Sequence, residues 1–442
     1  MLVKGSKWVF FLTGTLSFLI VFVVLWKGLG GAEEFDLFHL SDHSASSHAR
    51  TKLIGIAGAD GTRRKKSHRL VTSVSTPEQK YFAIDFGGHE TCNPNIIPHP
   101  QLADTWIVVA QRLQSPSQDP FVFNEIACNA VFDNATLRCV DQPTALPIQA
   151  TSGPHCKGDL AHLAFNLGPH DARVFYGPSA PFTVYGSNSL YTCFGQWLRD
   201  FRPLVSSWGA TPVAAAFADP VDLQKPAEYH PIEKNWFVFW DLAGQIYVHH
   251  DLYPKRTFAR LLPDGGVGPN LSPAAEATDA ACIAKHMPRI GETLESIHQA
   301  TNSLSVTLCA RGTCTPDARN TFILSVFQHK SFHAYHSVYE PYVILFAPAP
   351  PFQIVAISKK PFWVNGRGLP GEKRPDYLPI PPTAPWNQTE MLYVTSLAWK
   401  AGNQTYHGYL DDVVFVAFGV EDEQSAGIDV VVGDLLLDLA FC

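Results

Sequence analysis

The chain has 442 residues, 46% hydrophobic and 17% charged, a balance that supports a large buried core and excludes a mainly disordered protein. Its formal net charge of -7 offers no basic excess to neutralise a phosphate backbone, which sets nucleic acid aside as a partner. The 34 prolines and 31 glycines follow no period, so collagen-like repeats are excluded and many turns between short elements are expected.

In chain order, a short tail (1–7) precedes residues 8–26, which read WVFFLTGTLSFLIVFVVLW without a charge between Lys7 and Lys27. That length is close to the ~20 apolar residues a bilayer-spanning helix needs. The apolar core is longer than that of a cleaved signal peptide, and no small-residue cleavage site follows, so the segment is expected to be an uncleaved signal-anchor. Lys4 and Lys7 lie before it and Glu33, Glu34 and Asp36 after it, which predicts a single-pass type II protein with a cytosolic tail and a lumenal body. All nine cysteines lie beyond the span, as do sequons at Asn134, Asn270, Asn387 and Asn403, and both features belong to the secretory pathway. Pro273 behind its sequon makes Asn270 the weakest acceptor. Cys128 with Cys139 and Cys309 with Cys314 are the locally plausible disulfide pairs.

Residues 27–79 are rich in Ser, His and Gly, carry the basic run Arg63, Arg64, Lys65 and Lys66, and read as a lumenal stem. From residue 80 to 442, short apolar runs alternate with turn residues: WIVVAQR, FVFNEIACNAVF, ARVFY, NWFVFWD, QIYVHHD, SLSVTLCA, TFILSVFQHK, YVILFA, FQIVAIS, MLYVTSLAWK and DDVVFVAF. These read as strands, and only 274–285 and a few residues after Ile290 look helical. The alternating pattern of a nucleotide-binding doubly wound sheet is missing, so an all-β propeller or large sandwich is expected.

Four segments concentrate polar and aromatic residues at strand ends. NPNIIPHP with the following strand offers Asn93, Asn95 and Arg112, and GPHDARVF offers Asp171 and Arg173, two residues apart and so on one side of a strand. PIEKNWFVFWD offers Glu233, Lys234, Asn235, Trp236 and Asp241, and QHKSFHAYHSVYEPYVILF offers Gln328, His329, His333, His336, Glu340 and Tyr342. Plainer roles compete with these. Asp171 and Arg173 could be a structural ion pair, Lys234 and Asn235 turn residues, and Trp236 core. His249, His250 and Asp251, or His329, His333 and His336, could ligate a metal, but clustering by chance is expected in a chain with 18 histidines, and no metal is expected.

The HDAR and KNW motifs, with an upstream asparagine and a strand ending in Arg, resemble the five-bladed β-propeller enzymes of glycoside hydrolase family 130 and the related β-1,2-mannosyltransferases of fungi and protozoa. The stretch HGYLDDVVFVAFGVEDEQSAGIDVVVGDLL is similar to their closing blade. The resemblance spans about Phe82 to the C-terminus. Where the family has Asp-Pro-Arg, this chain has Asp171-Ala172-Arg173, preceded by His170. The resemblance implies a five-bladed propeller over residues 80–442, with Asp171 as the catalytic acid or base. It further implies sugar and leaving-group contacts from Asn93, Arg112, Arg173, Lys234, Asn235, Trp236, Glu340 and Tyr342, with no metal or other cofactor. Together with the tail, span and stem, it leads to the expectation of a Golgi-type, inverting mannosyltransferase using a sugar-nucleotide donor and a glycan acceptor. The alternatives are a membrane-anchored β-mannoside hydrolase or phosphorylase, and a non-catalytic glycan-binding propeller.

Overall fold

In the computed structural model the described residues are 53–54, 67–115, 119–209, 217–299, 301–333, 335–381 and 383–442. The expected span at 8–26 lies outside them, as does most of the stem. Among the described residues no helix is long and apolar enough to cross a membrane. Residues 68–71, inside the segment expected to be stem, instead form a strand: His68–Val71 pairs in parallel with Phe362–Val364 and antiparallel with Leu53–Ile54. Arg69 is buried there and donates to the carbonyl oxygens of Asp434 and Leu435.

The body is all-β, and its strands fall into five antiparallel groups. Four follow in sequence: Thr91–Pro98, Trp106–Arg112, Glu125–Asp133 and Thr136–Cys139; His170–Tyr176, Pro181–Asn188, Phe194–Asp200 and Val221–Asp222; Phe237–Trp240, Ile246–Asp251 and Thr257–Arg260; then Leu304–Thr307, Thr321–His333, His336–Phe346 and Ile354–Ser358. The last is Leu392–Trp399, Val413–Val420 and Gln424–Val431, completed by Phe82–Asp85 from the start of the body. That early strand also runs parallel to Thr136–Cys139 and so joins the last group to the first.

Five apolar layers lie between successive groups. Ile97, Val109, Val174 and Phe201 fill the first seam, Phe175, Phe182, Val238 and Trp240 the second, and Phe237, Phe239, Ile323 and Phe346 the third. Leu304, Val326, Leu397 and Val416 fill the fourth, and Phe82, Trp106, Val108 and Phe415 the fifth. Successive residues of one strand serve opposite seams, as Phe237 and Val238 do, so these strands are apolar on both faces and appear in the sequence as unbroken hydrophobic runs. Five groups with five seams between them make a closed, propeller-like ring.

Among the described residues the first strand of four of the groups has no strand on its inner edge, while that of the fourth, Leu304–Thr307, pairs in parallel with the short strand His407–Tyr409; several of the backbone groups left bare are met by side chains of the adjacent group. Asn95 donates to Ala172 O (2.7 Å) and accepts from Val174 N (3.0 Å). Asn302 does the same for Leu397 O and N, both at 2.9 Å. Gln328 grips Val394 N and O, Ser303 donates to Val238 O, and Thr395 donates to Pro94 O.

Four disulfides are present among the described residues: Cys128–Cys139, Cys156–Cys193, Cys282–Cys442 and Cys309–Cys314, leaving Cys92 free and buried. The helix Glu276–His286 carries Cys282. Asn134, Asn387 and Asn403 are exposed, whereas Asn270 is half-buried and accepts from Ser272 N, with Ser272 itself buried.

Two outcomes follow. Asn302→Ala should strip Leu397 of both backbone partners in a buried setting and destabilise the fold by roughly 1–3 kcal/mol, seen as a lower Tm. Expressed in a eukaryotic secretory host, the protein should lose mass on endoglycosidase treatment, with Asn134, Asn387 and Asn403 modified and Asn270 not, as read by peptide mass spectrometry.

Candidate active site

The site grows from one backbone device used three times. Asn93, Asp171 and Asn235 stand at the mouth end of the first three inner strands, and all three are left-handed, with φ of 54°, 51° and 62°. Such values are uncommon outside glycine and concentrate where function holds them in place. At the first two, the strand bulges: Asn93 and Pro94 together oppose Ala110, and Asp171 and Ala172 together oppose Tyr185. A bulge turns two successive residues to the same side. At Asp171 the two N–H groups concerned are both taken by the first group, Asp171 N donating to Gln111 Oε1 and Ala172 N to Glu125 Oε1, each at 3.0 Å. Gln111 and Glu125 are cross-strand partners, which is why they work as a pair.

The Asp171 carboxylate accepts from Asn93 Nδ2 at 2.7 Å. Burial pushes its pKa up, but the charges of Lys234 and Arg173 and the Asn93 hydrogen bond outweigh burial and hold it below the usual aspartate value. Asp171 is therefore ionised at neutral pH. Arg173 donates to the Asp171 carbonyl oxygen (3.1 Å), not to its carboxylate, and its guanidinium lies 5.9 Å from the centre of the Tyr393 ring. Lys234 is exposed, with its ammonium 5.4 Å from the Phe194 ring centre. Asn235 accepts from Tyr393 Oη at 3.2 Å.

A second carboxylate faces Asp171 from the fifth group. Asp422 sits in the turn between Val413–Val420 and Gln424–Val431, exposed at its surface although protein crowds round its carboxylate, and it has no hydrogen-bond partner among the described residues. Burial and the like charges of Asp171 and Glu421 raise its pKa to about 6, against the opposing pull of Lys330 and His336. Tyr339 and Tyr393 form the aromatic wall between these groups, ring centres 4.8 Å apart, with Lys330 over Tyr339 at 5.6 Å. Beneath Asp171, Glu125 is fully buried, and one of its oxygens, Oε2, has no partner. Burial raises its pKa to about 8, so it is a neutral acid at pH 7. Beside Lys234 and Asn235 opens a polar cleft of about 220 Å³, also lined by His230, Asp251, Tyr253 and His298.

Of the residues expected at the site, Asp171, Asn93, Arg173, Lys234 and Asn235 come together. Four others do not. Arg112 follows Gln111 on an alternating strand and faces away from Asp171. Trp236 is core, 2% exposed, its indole donating to Glu233. Glu340 is held by His68 (2.6 Å) and Arg367 (3.4 Å) on the other face of its strand, and Tyr342 stacks on Phe327. The histidines of the two clusters have separate partners, among them Gln299 for His249, Gln224 O for His250, Glu295 for His329 and Glu421 for His336. Among the described residues no three His, Cys, Asp or Glu side chains are grouped to hold a metal.

No family profile and no curated protein matches the chain. Solved structures do. A glycosyl hydrolase from Bacteroides ovatus is 10% identical over 86% of this chain and 96% of that one, with a TM-score of 0.44. The Cellvibrio cellulosa α-L-arabinanase in complex with arabinohexaose is 9% identical over 79% and 98%, with a TM-score of 0.36. The Lactobacillus brevis α-L-arabinofuranosidase is 9% identical over 78% and 92%, also with a TM-score of 0.36. At these values the fold rests on the strand pairing above, and no substrate follows from them. The structures named are all glycoside hydrolases, which corrects the expectation of a Golgi mannosyltransferase, and that function is not carried forward.

Glu125 gives a test of the buried acid. Its folded pKa lies above the ordinary glutamate value of about 4.5, so its contribution to stability is fully present below about pH 4.5 and is lost as pH rises through about 8. Glu125→Gln keeps an acceptor for Ala172 N without the ionisation. The gap in Tm between wild type and variant should therefore move in the variant's favour from pH 5 to pH 8, and a constant gap would contradict the buried neutral acid.

Proposed function

We propose that the protein cleaves glycosidic bonds by hydrolysis, with Asp422 as proton donor and Asp171 as the ionised carboxylate that acts on the opposite side of the sugar, directly or through water. The single observation that carries this is the opposed tuning of two carboxylates at one mouth, one held down by cations and one pushed up to about 6. A glycosidase needs that pair: an acid to protonate the leaving oxygen and a base or nucleophile that stays charged. Lys234, Arg173 and Asn235 would orient sugar hydroxyls, and Tyr339 and Tyr393 would present aromatic faces. The resemblance of Asp171-Ala172-Arg173 and Lys234-Asn235-Trp236 to the β-mannoside-acting propellers directs the first substrates to β-mannosides. The cations Lys234, Lys330 and Arg173 near the mouth make phosphate the alternative acceptor to water. We also take the body to work in an oxidising lumenal compartment, a reading supported by four disulfides and three exposed sequons.

Leaving-group dependence separates the two roles. Asp422→Asn should lose about 10² to 10⁴ in kcat on mannobiose or an alkyl mannoside, but far less on a dinitrophenyl mannoside, whose leaving group needs no proton. Asp171→Asn should lose activity on both, with binding largely kept. Assays with and without inorganic phosphate, read by release of mannose or mannose 1-phosphate, decide the acceptor. Near-normal turnover in Asp171→Asn would end the proposal.

A further inference from the structure

The turn that carries Asp422 is built from an unexpected pair of residues. Val420 O accepts from Glu423 N (3.0 Å), and the two central residues, Glu421 and Asp422, are both left-handed, with φ of 54° and 55°. That is a type I′ turn, in which Asn-Gly or Asp-Gly is the low-strain choice. Here two acidic side chains occupy it, and they meet opposite fates. Asp422 is unpaired. Glu421 is held by groups from three separate elements: Met391 N donates to Oε1 (2.7 Å), Tyr377 Oη donates to Oε2 (2.9 Å), and His336 Nε2 lies 2.9 Å from the same oxygen. The Glu421 backbone N–H adds a bond to Met391 O at 3.0 Å. His336 is fully buried, so this anchor is fixed to the interior of the fourth group.

We infer that Glu421 is the positioning residue for Asp422: through His336, Tyr377 and Met391 it locks the strained turn that aims Asp422 into the mouth. This rests on the reading of Asp422 as proton donor. The charged and titratable groups around Asp422 come from every neighbouring element: Cys92 from the first group, Asp171 from the second, Lys330, His336 and Tyr339 from the fourth, Tyr393 from the fifth, and Tyr377 from the loop before it. Lys330 and His336 stabilise the ionised form of Asp422, and Asp171 and Glu421 oppose it. Of the two opposing carboxylates, Glu421 alone is bound to the turn itself, so its loss would change both the aim and the protonation of Asp422.

The consequences split by variant. A proton donor is active while protonated, so ionisation of Asp422 gives the alkaline limb of the pH profile of kcat/KM. Glu421→Gln keeps the side-chain shape and the acceptor for Met391 N but removes the charge, so the limb should move to lower pH by about half a unit or more. Tyr377→Phe removes one anchor and keeps the charge; kcat should fall several-fold with KM and the limb little changed. A purely structural Glu421 would lower kcat or Tm without moving the limb, and that outcome would overturn the inference. The same midpoint can be read without turnover, from the carbon-13 carboxyl resonance of Asp422 in the whole labelled protein, assigned by its absence in Asp422→Asn. If the alkaline limb persists in Asp422→Asn, the donor reading fails, and the resonance still decides whether Glu421 raises the Asp422 midpoint. An unmoved resonance in Glu421→Gln sinks the inference whatever the kinetics show.

Discussion

The ring depends on how the free edges at its centre are satisfied. In every group but the fourth, whose first strand is paired by His407–Tyr409, the axial strand has N–H and C=O groups without a ladder partner, and in a buried setting each such group left bare costs about as much as a lost hydrogen bond. Asn95 and Asn302 meet this by offering both an acceptor and a donor to the strand next door, copying with a side chain what another strand would have supplied. Gln328 does the same at the seam that Asn302 closes, and Ser303 and Thr395 each donate to one carbonyl at the seams on either side of it. The seam between the second and third groups is closed by aromatic packing of Trp240 on Phe175 and Phe182. Because the clamps bind backbone, they fix strand height relative to the axis as well as joining the sheets.

That vertical registration is what makes the site possible. Asp171 is held at its N–H by Gln111, at the N–H of the next residue, Ala172, by Glu125, and at its carboxylate by Asn93, all from the preceding group. A residue on a left-handed bulge would otherwise relax toward an extended strand and turn its carboxylate away. Burying Glu125 as a neutral acid beneath an ionised aspartate also avoids stacking two charges in one low-dielectric column. The electrostatics and the backbone geometry of the mouth are one construction.

The strands were legible because burial on both faces writes itself as continuous apolar sequence: all eleven runs read as strands contain one. Pro181–Asn188 and Phe194–Asp200 were passed over because Gly, Ser and polar residues interrupt them. The motifs around Asn93, Asp171 and Lys234 were legible one by one. Their common origin as the same left-handed entry to successive inner strands was not, since φ leaves no mark when the residue is not glycine. The errors at Arg112, Glu340 and Tyr342 share a cause. A period of two says that neighbours face opposite ways but not which of them faces the axis, so Gln111 and Tyr339, one residue removed, hold the places chosen for Arg112 and Glu340. Asp422 escaped notice because Glu-Asp-Glu-Gln in a hairpin turn looks like ordinary solvated charge.

The strand Phe82–Asp85 brings a constraint of timing. It is made before every group it unites, yet its antiparallel partner, at Ala426 and Gly427, emerges after nearly all of them. During vectorial synthesis the outer strand Gln424–Val431 therefore has no partner on its free edge until it captures a segment that has been waiting since the body began, and the first and last groups cannot be joined sooner. Until that capture both edges are open to intermolecular pairing. Local groups can form as the chain appears, but the mouth, which draws Asp171 from the second group and Asp422 from the last, exists only once the circle is shut.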